Sequence, residues 1–278
     1  MGRWIALAAA AAMVAACASG PYARTTLTFA GRVPTVGFGD ADDLTVARVA
    51  AQLLHDTVGL PFPDGTVVHL YQNQATFAEG LIRDAALDRD DAWDKSRFAG
   101  AVATPRGLFF RADHLVSMRL LDRIAIMAHE LAHVSQMEMG RGGRFAAAVW
   151  IREGHAEWAK FQVLDRLGIR SYADSREEVR RALVRSATPV AFFPRLDALT
   201  NTADWTAARN RFGSAATYGQ AFLAVDWLVE RYGADRLHAF FRSFAAGTDR
   251  GGRWNAVYPT GYAAFVDEFR ERLRTLAE

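Results

Sequence analysis

Apolar and polar positions recur along the chain with two different periods, and the change of period divides it. Towards the front, Thr25 to Phe29 alternates as a half-buried strand does, and Thr66 to Tyr71 is a β-branched, apolar run. Arg32 to Phe38 fits a further strand. Between these, Asp42 to Val58 places Leu44, Ala47, Val49, Leu53 and Leu54 at helical spacing, and Gln74 to Leu87 fits a second helix. Arg89 to Lys95 has no apolar period and is expected to be a charged loop. Phe98 to Arg111 predicts a hairpin, with a Thr-Pro-Arg-Gly turn between two apolar arms.

Past the hairpin the period becomes helical and stays so. Val116, Leu120, Leu121, Ile124, Met127, Ala128, Leu131 and Val134 form one stripe. Gly140, Gly142 and Gly143 supply a stop and a turn, and a returning helix is expected from about Phe145 to a stop at Gly168. Ser175 begins a charged amphipathic helix whose basic run is read as a solvated face, and Ser186 to Arg211 is irregular. Thr217 to Gly233, Ala234 to Ala245 and Gly261 to Leu276 predict further helices. The order predicts an α+β fold, with a small mixed sheet ahead of a mainly helical lobe. Residues 25–115 would form the sheet lobe and 116–278 the helical lobe of one domain.

The front end is different. Arg3 is followed by an apolar run from Trp4 to Ala16, too short and too rich in small residues for a membrane span but suited to the core of a signal peptide. Residues 1–16 are therefore expected to be removed, and residues 17–24 to form a tether. Val14-Ala15-Ala16-Cys17 resembles a bacterial lipobox, which implies cleavage before Cys17 and lipidation of that cysteine; ordinary cleavage after Ala16-Cys17-Ala18, an A-x-A-like site, is the other reading. Cys17 is the only cysteine in the chain, so no internal disulfide can form. Ala18 in the next position resembles outer-membrane sorting signals. The expected location is the bacterial cell envelope, lipid-anchored at the periplasmic face of the outer membrane.

Composition adds little beyond a bound. Apolar residues make up 51% of the chain, ample for a core, and the net charge of +2 with interspersed signs points away from nucleic acid.

The chemistry lies between Ile124 and Lys160. His129-Glu130-Leu131-Ala132-His133 is an H-E-x-x-H motif. On a helix His129 and His133 share one face, one turn apart, and can hold one Zn²⁺. Glu130 lies about 100° round the helix, where it can reach a water without being a ligand. Counting outward from the glycine turn, His133 lies about 9 Å back along the first helix and Glu153 about 12 Å along the second. Antiparallel packing would bring Glu153 level with His133, completing a His₂Glu site with one open position. Glu157, one turn further along the same face, can accept the second ring N–H of a ligand histidine. His155 faces away from the ligand face and is read as structural or as part of the rim.

These residues resemble the gluzincin metallopeptidases. The spacing of nineteen residues from His133 to Glu153 is similar to thermolysin, and Trp150-Ile-Arg-Glu153-Gly-His-Ala-Glu157-Trp is similar to the third-ligand helix of the peptidase-MA-like group. The strong likeness covers about forty residues. It implies one zinc held by His129, His133 and Glu153, with Glu130 as general base. It also implies an edge strand above the zinc cleft that pairs with substrate backbone, and Ala99, Gly100, Ala101 and Val102 look like that strand. A plain hairpin packed on the helix is the other reading of that segment. A tyrosine at the start of the helix after the ligand helix stabilises the oxyanion in that group, and Tyr218 stands at that place; a core tyrosine is the alternative. No Gly-x-Met-Glu-Asn exopeptidase motif occurs, which favours an endopeptidase over an aminopeptidase. The substrate implied is a peptide or an envelope protein. A zinc-containing envelope module that no longer cleaves is the alternative function, and the intact Glu130 argues against it.

Overall fold

In the computed structural model the chain is described over residues 21–29, 41–140, 147–246 and 250–277. The signal segment, the lipobox with Cys17, the strand expected at Arg32 to Phe38 and most of the glycine turn lie outside those residues. The observed fold is α+β: a four-stranded mixed sheet followed by a mainly helical region.

The sheet runs β1(Ala23–Thr26), β2(Val67–Tyr71), β4(Gly107–Arg111), β3(Ala101–Thr104) from edge to edge. β1 is antiparallel to β2, β2 is parallel to β4, and β3 is antiparallel to β4. Strand alternation sorts the side chains onto two faces. Val68, Leu70, Leu108 and Phe110 join the main core, with Val68 opposite Leu108 and Leu70 opposite Phe110. Tyr71 and Phe109 join a smaller core with Phe77, Leu81 and Ala92.

Three expectations shift here. Ala23 and Arg24, read as the end of a tether, are already strand residues paired with Leu70 and His69. Arg89 to Lys95, read as a loop, lies in a helix. The hairpin's first arm begins at Ala101: Ala99 caps the preceding helix, and Gly100 precedes the strand with its carbonyl accepting from the Arg111 N–H. Of the four residues assigned to an edge strand, Ala101 and Val102 are in it and Ala99 and Gly100 are not.

The helices of the sheet lobe are set by their caps. α1(Asp43–Val58) starts at Asp42, whose carboxylate accepts from the Thr45 amide, and ends at Gly59 with φ 75°. α2(Gln74–Arg83) carries a capping box between Asn73 and Thr76. α3(Arg89–Phe98) is polar almost throughout. Asp88 caps it, Asp90 and Asp91 sit in its first turn, and Lys95 and Arg97 sit in its last, complementing the helix dipole at both ends. A short α4(Ala112–Leu115) follows β4.

α5(Leu120–Met139) and α6(Val149–Arg166) form the centre of the molecule. α5 buries Ile124, Met127, Ala128 and Leu131 in the core shared with α1, while Arg123 on its first half pairs with Asp43 at 2.7 Å. α6 begins at Val149, later than Phe145. Its buried Trp150 donates to the Tyr262 hydroxyl at 3.1 Å and stacks on Phe265. α6 then passes so close to the later helix Gln220–Tyr232 that a Cβ on Gly154 would lie 2.3 Å from the Ala221 carbonyl oxygen. α7(Tyr172–Val184), α8(Thr202–Phe212), α9(Gln220–Tyr232), α10(Ala234–Arg242), α11(Arg250–Val257) and α12(Tyr262–Ala277) complete the helical region. Among the described residues no helix is long and apolar enough to cross a membrane.

Candidate metal centre

α5 and α6 run antiparallel, so residues pair across the seam in opposite order. His129 meets Glu157, His133 meets Glu153, and Gln136 meets Arg152. That pairing brings three ligand-type atoms to one point. His129 Nε2 lies 3.2 Å from His133 Nε2, 3.3 Å from Glu153 Oε2, and His133 Nε2 lies 3.6 Å from the same oxygen. The group could hold a metal ion.

The separations test whether zinc suits it. Tetrahedral ligands at zinc bond lengths of 2.0–2.1 Å stand about 3.3 Å from one another. The three observed distances bracket that value. The donor set, two neutral imidazoles and a carboxylate, is also that of a three-ligand zinc site with a position left for water or substrate.

The far side of each imidazole is occupied. His129 Nδ1 is 2.8 Å from Glu157 Oε1, and Lys160 holds the other oxygen of that carboxylate. His133 Nδ1 is 3.0 Å from the side-chain oxygen of Gln136. Both Nδ1 atoms face an acceptor, so both Nε2 lone pairs are left for a metal. Sequence reading placed Glu157 in this role and missed Gln136, although Gln136 follows His133 by three residues and so shares its face of the helix.

The electrostatics are those of a buried charged cluster. Burial pulls the His129 pKa down, but the carboxylates of Glu153 and Glu157 outweigh it and push it up to about 10. Burial pushes Glu153 up, yet the His133 and His129 imidazoles overcome this and hold it well below the usual carboxylate range. Glu157 is likewise held at about 2, against burial, chiefly by Lys160 and His129.

Glu130 behaves differently. It is not in the ligand group, and burial raises its pKa, only partly opposed by the two histidines and a hydrogen bond from the Ala103 backbone. Ala103 is on β3, one of the two outer strands of the described sheet, so the strand edge and the Glu130 carboxylate adjoin. A cavity of about 170 Å³ opens there, lined among others by Ala103, Glu130, His133, Arg152 and Glu153.

Tyr218 lies near His129. A single π-helical turn, Ala215–Gly219, precedes α9 and carries it. Its ring centroid is 6.2 Å from that of His129 and 5.0 Å from that of Trp205. Burial raises the phenol pKa, and the Glu153 charge adds to the shift.

His155 is fully buried against Trp158, His238 and Phe241, with Nδ1 2.9 Å from the Gln136 side-chain nitrogen. Burial and the neighbouring histidines hold it far below the usual imidazole pKa. No protein-family model, no curated protein and no solved structure matches the chain.

Proposed function

We propose that the chain is a zinc-dependent peptidase of the bacterial cell envelope, acting as an endopeptidase on peptide or protein substrates. The observation that carries this reading is the place of Glu130: a half-buried carboxylate with raised basicity, beside a His₂Glu group but outside it, on a cavity bordered by an edge strand. A binding module has no use for a base in that position.

His129, His133 and Glu153 would hold the zinc, which supplies Lewis acidity towards water and the scissile carbonyl. Glu130 takes the proton of the attacking water and passes it to the leaving amine, a role that suits a carboxylate whose pKa is moved towards neutrality. Tyr218 donates its hydroxyl proton in a hydrogen bond to the oxyanion that develops at the carbonyl. β3 offers an edge along which an extended substrate aligns, through the main-chain groups of Ala101, while those of Val102 are turned to Phe109 on β4. Cys17 is the proposed lipid anchor, and Cys17→Ser would release the protein to the soluble fraction or leave the precursor uncut.

Zinc content and digestion of a peptide library by the purified wild-type chain test this reading together with Glu130→Gln. The expected result is about one zinc in both proteins and cleavage by the wild type alone. A fully loaded wild type that cleaves neither the library nor an envelope extract overturns it.

A further inference from the structure

Gln136 stands behind His133 and is itself buried, as is His155 beyond it. A glutamine side chain has one end that only accepts hydrogen bonds and one that only donates. The nitrogen end lies 2.8 Å from the main-chain oxygen of Arg152 and 2.9 Å from His155 Nδ1. A carbonyl oxygen has no proton to give, so the Arg152 oxygen fixes which way round the amide sits. The reverse orientation would set two bare oxygens against each other in a buried place. The end facing His133 Nδ1 must then be the acceptor, 3.0 Å away, and it requires a proton on that nitrogen.

We infer that Gln136 is a positioning residue: it selects the Nδ1–H tautomer of His133, and α6 itself sets the direction of that selection through the Arg152 carbonyl, with His155 as a second latch. The two residues that orient Gln136 flank Glu153 in sequence. The helix that brings the third ligand therefore also determines which nitrogen of the second ligand is free. A rotation or slip of α6 would disturb both at once, so the two helices act as one unit in forming the centre. The consequence for metal affinity rests on the zinc reading above; the tautomer does not.

The tautomer is read by ¹⁵N–¹H correlation of the histidine rings in the metal-free, full-length wild type, with His133 assigned by its absence in His133→Gln. The expected signal is a proton on Nδ1 and a bare Nε2. A proton on Nε2 with Nδ1 bare overturns the inference without reference to any metal. Zinc affinity, by chelator competition, is then compared in Gln136→Met and His155→Phe. Gln136→Met is expected to bind about 10–100-fold more weakly, and His155→Phe to lose less, because the Arg152 carbonyl still orients the amide. Wild-type affinity in a folded Gln136→Met also overturns it. Should the variant not fold, the wild-type spectrum decides. Failure of wild type to bind zinc refutes the zinc reading alone and leaves the tautomer test standing.

Discussion

His129 and His133 present like atoms to each other, Nε2 against Nε2 at 3.2 Å, with Glu153 Oε2 within 3.6 Å of both. Two imidazole lone pairs cannot face one another at that distance without a proton or a metal ion between them. In the metal-free protein His129 is the group placed to carry that proton, because, against burial, the Glu153 and Glu157 carboxylates push its pKa up to about 10. Zinc must displace it. At pH 7.5 binding is expected to release about one proton from His129, and apparent affinity to rise about tenfold per pH unit until the pH passes about 10. Titration calorimetry in two buffers of different ionisation enthalpy measures the release; equal heats in both would contradict it.

Glu157 and Glu153 lie one turn apart on α6 and serve different ends. Glu153 points its oxygen at both Nε2 atoms, whereas Glu157 takes His129 Nδ1 at 2.8 Å and is tied by Lys160. Glu157→Gln keeps the shape but weakens the acceptor. Zinc affinity is expected to fall about 10–100-fold, with activity partly restored by added zinc. Glu153→Gln should lose the metal outright, so the ratio of the two dissociation constants separates ligand from support.

The close passage of α6 over α9 makes Gly154 a structural condition of the site. A methyl there would meet the Ala221 oxygen at 2.3 Å and Val225 Cγ2 at 2.7 Å, and the first of these is backbone that cannot swing away. Gly154→Ala is expected to cost about 1–3 kcal/mol of stability by overpacking. Because Glu153 is the adjacent residue, zinc affinity should fall as well. A urea midpoint equal to wild type would show that the helices can separate more freely than this packing allows.

Much of the centre was legible because its grammar is periodic. Two histidines four apart, a glycine turn and a carboxylate at the mirrored distance suffice to place His129, His133 and Glu153 once antiparallel packing is assumed. Glu157 followed from the same count. Gln136 did not, since an amide carries no metal-ligand signature, and only its spacing from His133 marked it. α3 was misread because it has almost no apolar period; Asp88 as cap, with acids first and bases last, was the signal available. The two-residue shift of β3 came from the same error, for Ala99 belongs to the end of α3. Edge position depends on the order of strands in the sheet, which no local pattern encodes.

His238 and His155 give the fold a sensitivity to acid. Their rings are 5.7 Å apart and buried. Burial, aided by Arg242 and opposed by Asp235, lowers the His238 pKa from 6.5 to about 4. A depressed imidazole pKa means that between pH 6.5 and about 4 the unfolded chain binds a proton that the fold does not. Stability contributed by the neutral ring is therefore present above pH 6.5 and is lost as pH falls through that window. His238→Phe is expected to remove up to about 1.4 kcal/mol per pH unit from the slope of unfolding free energy there. Urea midpoints at pH 7 and pH 5 measure it, and parallel curves for the two proteins would refute it.

Tyr218 separates a catalytic from a packing role most sharply. Its ring sits against Trp205 and beside His129, on a π-helical turn that interrupts the entry to α9. Such single turns occur often at functional sites. A tyrosine retained for packing would tolerate loss of its hydroxyl, since Phe fills the same space and the ring contacts persist. A tyrosine that donates to a developing oxyanion would not, because that hydrogen bond strengthens only as charge accumulates. Tyr218→Phe is therefore expected to keep zinc affinity and melting temperature near wild type, to leave KM little changed, and to lower kcat by about 10²–10³-fold. The raised phenol pKa keeps the hydroxyl protonated through the neutral range, so the loss should be independent of pH between 6 and 8. A variant with unchanged kcat would return Tyr218 to the core and leave Glu130 as the proposed acid–base group acting without it.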